Sequence, residues 1–308
     1  MNTIFGEFFI LIVLGFIWRF IKGVPSSAII RSSISSLVLY LLLPLLTFGV
    51  IYNAPFNHDS WEIPFIGFIV TISCIVFSWG IYTLIKKFFP NTITDKSIGS
   101  IILGASWGNS QHLGLPVLIG VVGSKYAYVA LLYSNMASTP LLFVLGSIIA
   151  GYFSEEGMSF TKRCIHGLKK LLILPPLIAM IAAFICRYFN IEIHPVLLKT
   201  CSFAGSATSP LMMISLGMAL SIPKISSILL VFPAAIIRNI IGPLTAYLIL
   251  NMMYIDPAIS ESLLLEAGMP SMILALIIAE DNHLDTELLA QLITISTLLS
   301  FITLPFLS

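Results

Sequence analysis

Residues 103–123, LGASWGNSQHLGLPVLIGVVG, decide how this chain is to be folded. The two ends have the apolar character of a membrane helix, but the middle carries Trp107, Gly108, Asn109, Ser110, Gln111 and His112, followed by Gly114 and Pro116. Glycine weakens a helix, and proline removes a backbone donor and clashes with the preceding turn. Backbone opened in this way inside hydrocarbon must find partners in other protein segments or in water. The stretch is therefore either a discontinuous helix beside a polar site at the bilayer midplane or a proline-kinked helix whose polar side chains are satisfied locally.

A second interruption favours the discontinuous helix. Residues 263–280, LLLEAGMPSMILALIIAE, place Gly268 and Pro270 in mid-segment, with Glu266 on the turn before them. Each interruption falls in the next-to-last apolar segment of its half of the chain. A matched pair of broken segments points to a transporter site at the interface of two inverted repeats.

Composition sets the class. Of 308 residues, 58% are hydrophobic and only 9% charged, with a mean hydropathy of +1.03, against about 25% charged in a soluble domain. This describes an integral membrane protein. The formal net charge of +1 and the lack of a basic cluster give no footing for nucleic acid. Cys74, Cys164, Cys186 and Cys201 are scattered without zinc or redox spacing and read as packing residues. The first apolar segment lacks a basic start and a small-residue cleavage site, so it is read as a span rather than a leader.

About ten segments are long enough to cross hydrocarbon, near residues 3–21, 30–52, 63–86, 98–122, 126–152, 170–189, 195–220, 227–251, 258–279 and 286–307. The expected architecture is all-α: a first repeat of five spans over residues 1–153, a short cytoplasmic loop at 154–169, and a second, inverted repeat of five over 170–308. Eleven lysines and arginines follow the odd-numbered segments up to the seventh, from Arg19 to Lys224. Only Lys125, Arg187 and Lys199 lie on the other side, and Arg238 lies inside a span. The positive-inside rule then puts both termini outside the cytoplasm, in the cell membrane. Pro44 in the second segment and Pro210 in the seventh echo the repeat, although both also fit ordinary kinks.

GNSQHLGLPV in the fourth segment, LLLPLLTF in the second, and EAGMPSMILALIIAEDNHLD running into STLLSFITLP at the end resemble the auxin efflux carrier family. That family includes plant auxin exporters and bacterial carriers of small organic anions such as malate and malonate. The likeness spans nearly the whole chain, and its last block is the most specific. It implies a fold like that of bile-acid sodium symporters: a scaffold domain and a core domain, with segments 4 and 9 broken and crossing. It also allows a homodimer through the scaffold segments. Plant members carry a long central loop, whereas this chain has only the short one near Glu155, so regulation through such a loop is not carried over.

Facing breaks would bring half-helix N-termini to the membrane centre, each worth about half a positive charge with free N–H groups. A substrate carboxylate fits that field. The half-helices are expected to begin near Leu115 in one segment and near Ser271 in the other, with Asn109, Ser110 and Gln111 offering side-chain donors; the expected substrate-binding set is Asn109, Ser110, Gln111, His112, Leu115, Pro116, Met269, Pro270 and Ser271. By resemblance Asn109 contacts the carboxylate; an N-cap role for it is equally compatible with the spacing. His112 either shuttles protons or donates a structural hydrogen bond.

Glu266 is costly at mid-membrane, by roughly 2.5–3.5 kcal/mol on an insertion scale, so it is expected to pair or to take up a cation. A sodium ion held by Glu266, Asn109 and carbonyls near Met269, or a proton on Glu266, would each serve; the alternative is a structural ion pair with Arg238. No other cofactor is expected. With the inside negative, importing an anion costs about 2.3 kcal/mol per charge per 100 mV, which a co-transported cation or anion exchange would offset. The expected function is thus secondary transport of a small organic anion across the lipid bilayer, coupled to sodium or protons, or else by an uncoupled uniporter or exchanger. The rival from another class is an intramembrane serine hydrolase using Ser106 of GASWG, with His112 close by in sequence; that pattern normally sits on a strand-to-helix turn.

Overall fold

The computed structural model describes residues 2–56, 58–154, 160–220 and 224–307. Every regular element among them is helical, and the one β-type contact is a single antiparallel bridge between Gly108 and Ser271. In chain order the helices are α1 Asn2–Trp18, α2 Ser27–Asn53, α3 Glu62–Phe88, α4 Asp95–Ser106, α5 Ser110–Val121, α6 Ser124–Phe153 and α7 Phe160–Leu172. They continue as α8 Pro175–Tyr188, α9 Pro195–Ser206, α10 Thr208–Ala219, α11 Ser227–Leu250, α12 Pro257–Ala267, α13 Ala275–Asp281 and α14 Thr286–Phe306. Five of these (α2, α3, α6, α11 and α14) are long and apolar enough to cross a membrane, and α7 with α8 forms a pair bent by 61°.

Local chemistry starts these helices where it should. Thr94 and Asp285 accept from the backbone N–H three residues on, at 3.1 and 3.0 Å, and Asp256 caps α12 just ahead of Pro257. Such caps satisfy N–H groups that have no intrahelical acceptor, and proline in the first turn has no N–H to lose. Prolines deeper in the helices act differently. Pro44, Pro116, Pro140 and Pro243 each follow a widened π turn, at Val38–Leu42, Ser110–Gly114, Tyr133–Ser138 and Ile237–Ile241. The proline leaves the carbonyl four residues back without its donor and crowds it, and the ladder re-forms around that carbonyl with longer-range bonds.

Apolar side chains cover the outside as well as the core. Phe65, Phe68 and Val76 on α3, Ile178 and Ile185 on α8, and Leu229 and Leu248 on α11 are all exposed. A helix that is hydrophobic all round belongs in lipid. Between helices, small residues set the closest approaches: a Cβ on Gly15 would lie 2.1 Å from the Ile214 carbonyl oxygen, and one on Gly217 would lie 1.9 Å from that of Ile12. α1 and α10 therefore cross backbone to backbone, as small residues permit in membranes.

Two sequence expectations change. Of the stretch read as a loop at 154–169, residues 155–159 lie outside the described residues, and from Phe160 the chain is the helix α7. Its Gly167 sits against the Phe143 carbonyl of α6, where a Cβ would come within 1.9 Å, and Lys170 pairs with Asp281 at the end of α13. The second half-helix starts at Ala275, beyond Ser271, because residues 270–271 are extended and used in the bridge.

Candidate functional site

The breaks meet. Asn109 N–H donates to the Pro270 carbonyl at 2.7 Å and Met272 N–H to that of Trp107 at 2.8 Å, so the two extended stretches satisfy each other's backbone as a two-bond ladder. This answers the requirement that opened backbone in a membrane be paired within the protein. Ser296 of α14 secures the second stretch: its Oγ accepts from Ser271 N–H at 3.0 Å and lies 2.9 Å from Ser271 Oγ.

Beyond the first break the chain turns helical again at Ser110, five residues before the start expected near Leu115. Leu115 and Pro116 are buried in the apolar core and line no cavity described here. Ser110, Gln111 and His112 are in the first turn of α5, where N–H groups lack intrahelical acceptors and the dipole is positive. The Asn109 carbonyl accepts from Leu113 and Gly114 at 3.1 and 3.0 Å. Asn109 is buried, and its Oδ1 meets no donor among the described residues. Gln111 Nε2 donates to Asn135 Oδ1 of α6 at 3.2 Å, adding a polar residue that sequence reading overlooked.

Glu266, fully buried, presses its carboxylate on α5. A Cβ on Gly114 would lie 2.4 and 2.6 Å from its two oxygens. Neither oxygen meets a hydrogen-bond donor in good geometry, and the polar groups facing it are the Ser110 hydroxyl and, farther off, the Arg238 guanidinium. The Arg238–Glu266 ion pair suggested by the sequence does not form. Arg238, itself buried, instead donates to the Ser106 carbonyl at 3.1 Å and to the Ala267 carbonyl, the last residues of α4 and α12. Backbone oxygens freed by the breaks compete for this cation and hold it. No group of three or more His, Cys, Asp or Glu side chains forms a metal cluster among the described residues.

Two cavities lie at opposite ends of α2. One, about 380 Å³, lies between the first half of α2, the middle of α10 and α13; Arg31, Ser35, Ser215 and Glu280 line it, and His112 is at its wall. The other, about 260 Å³, lies between the end of α2, the start of α9 and the α5–α6 junction, with Asn53, Lys125 and Ser202 in its wall. His112 is the one member of the expected binding set that lines either; Met269, Pro270 and Ser271 are buried in the crossing.

The model of the family described as membrane transport protein matches residues 7–308, nearly the whole of this chain. The chain belongs to that family. It is the auxin efflux carrier family of the sequence resemblance. An uncharacterized transporter of Methanocaldococcus jannaschii is 27% identical over 277 residues, covering 88% of this chain and 86% of the relative. Another, of Methanothermobacter thermautotrophicus, is 28% identical over 298 residues, covering 96% and 93%. With these relatives and its apolar helices, the chain is a multi-pass membrane protein of a transporter family. The hydrolase motif lacks the context it needs: Ser106 ends a helix, and its buried hydroxyl faces Ser78 at 3.4 Å.

Proposed function

We propose that this chain is a secondary carrier of small organic anions, moving a carboxylate by alternating access around the crossed breaks. The observation that carries the reading is the ladder between residues 107–109 and 270–272, which sets the positive end of α5 beside the buried Asn109 amide at the centre of the molecule. The orphaned Asn109 Oδ1 is an acceptor and suits a donor or cation, while the amide N–H₂ of the same side chain is the group that would meet a carboxylate.

An inverted repeat is supported by helix pairs that recur when the halves are exchanged. α1 packs on α10 as α8 packs on α2, α3 on α4 as α11 on α12, and α14 on α4 as α6 on α12. The two cavities exchange in the same way. Ten spans in two halves, with both termini outside the cytoplasm, is the architecture we infer from this recurrence and from the basic residues on one edge. Arg31 then stands at the mouth of the cytoplasm-facing cavity, where it draws anions in, and Lys125 stands at the opposite mouth. Glu266, whose two oxygens meet no donor in good geometry, is the group through which a co-transported proton would act.

Uptake of radiolabelled malate, malonate and indole-3-acetate into proteoliposomes, with an imposed sodium gradient, proton gradient or neither, tests the proposal. Saturable uptake of one of these anions, lost in Asn109→Ala, supports it. Flux absent for all carboxylates from a folded, inserted protein contradicts it.

A further inference from the structure

We infer that Arg238 is the resident cation of the crossing: its guanidinium binds the C-terminal ends of both half-helices that precede the breaks, so anion transport by this chain needs no sodium ion there. The inference rests on the carrier reading for its transport consequence and on the geometry alone for its charge balance.

Helices α4 and α12 run toward the crossing and stop at Ser106 and Ala267. Each brings unpaired carbonyls and about half a negative charge, together close to one elementary charge in a low-dielectric interior. Such a place must be filled by a cation or by donors. Arg238 supplies both at once, with one terminal nitrogen on the Ser106 carbonyl at 3.1 Å and the other on that of Ala267. A planar fork of donors suits two acceptors on different helices, which a point charge does not match.

The surroundings are shaped for that group. A Cβ on Gly108 would lie 3.2 Å from Arg238 Cζ and 3.3 Å from the Met269 carbonyl oxygen. One on Gly242 would lie 2.9 Å from a terminal nitrogen of Arg238 and 2.8 Å from the Ala267 carbonyl oxygen. Two glycines thus clear the path of the guanidinium, and Tyr133 of α6 lies against it. The carbonyl region around residue 269, the backbone part of the sodium site expected from the sequence, is where this side chain ends. Because the guanidinium is bonded to both carbonyls, the position is already occupied. A sodium ion added there would meet a like charge at close range.

The test compares wild type, Arg238→Gln and Arg238→Lys. Melting of the purified protein in detergent is followed in sodium, lithium, potassium and guanidinium chloride at equal ionic strength, and anion uptake is measured in the same salts. The wild type should melt at one temperature in sodium and potassium and take up anion equally in both. Arg238→Gln should lose uptake by roughly tenfold or more. Low concentrations of guanidinium should stabilise that variant saturably and restore part of its uptake, while leaving wild type unaffected. Arg238→Lys, which keeps the charge, should retain more uptake than Arg238→Gln. Saturable stabilisation of wild type by sodium over potassium, or wild-type uptake by Arg238→Gln, would overturn the inference. If Arg238→Gln does not fold, the wild-type salt comparison and Arg238→Lys still decide. The melting comparison needs no substrate, so it stands even if every tested anion fails to move.

Discussion

Replacing Gly114 by alanine probes the contact that brings the two broken segments together. The new methyl carbon would lie 2.4 Å from one Glu266 oxygen, 2.6 Å from the other and 2.8 Å from their carbon. Ordinary contact begins near 3.4 Å, so the overlap is about 1 Å at two atoms of a side chain with no exposed surface. Overpacking of this kind costs about 1–3 kcal/mol. Alanine regains up to about 1 kcal/mol of helix propensity over glycine. The expected net loss is therefore about 0–3 kcal/mol. In a Glu266→Ala background the obstacle is gone and the same substitution should stabilise by up to about 1 kcal/mol, giving a coupling of about 1–3 kcal/mol between the sites. Melting of the four proteins in detergent measures this, at roughly 2–4 °C per kcal/mol for a chain of somewhat smaller size. Gly80→Ala on α3, where a Cβ meets nothing within 4 Å, is the control and should be neutral or slightly stabilising. Additive effects of Gly114→Ala and Glu266→Ala would refute the packing argument.

Other substitutions test neighbouring parts of the account. Asn109→Ala and Glu266→Gln should each reduce uptake at least about tenfold while membrane insertion, followed by a fluorescent fusion, is unchanged. Arg31→Gln at the cavity mouth should raise KM for the anion several-fold with little change in kcat, and the difference from wild type should shrink as salt is added. Gly217→Ala, whose methyl would run into the backbone of residue 12, should cost more than about 3 kcal/mol and show as lost monodisperse protein in size-exclusion chromatography.

The sequence carried the location of the site further than its wiring. Both breaks were readable because glycine and proline act on the backbone locally, wherever the chain goes next. The ladder between them was not, since nothing in residues 107–109 specifies which distant stretch satisfies their N–H groups. The partners of Arg238 are not legible for a related reason: carbonyl acceptors exist at every residue, and only the fold reveals that those of Ser106 and Ala267 converge on one point. A usable signal was present, however. Gln111, Asn135 and Arg238 each stand five residues before a proline, at Pro116, Pro140 and Pro243, within the π turn that the proline causes. A widened turn re-aims side chains, and here it aims polar ones inward. Helix α7 was hidden by its lysines, which look like a solvated loop until Gly167 and Leu171 are seen packed as one face.

The central claim is that one site is exposed alternately to the two sides, and counterflow tests it most directly. Proteoliposomes are loaded with unlabelled anion, diluted into a trace of the labelled form, and sampled over time with the membrane potential clamped at zero. A carrier exchanges label inward faster than the pool empties, so the account predicts a transient accumulation above equilibrium that Asn109→Ala abolishes. A monotonic approach to equilibrium, with flux that rises linearly with concentration, would mean an open pore and would contradict alternating access at the crossing of residues 107–109 and 270–272.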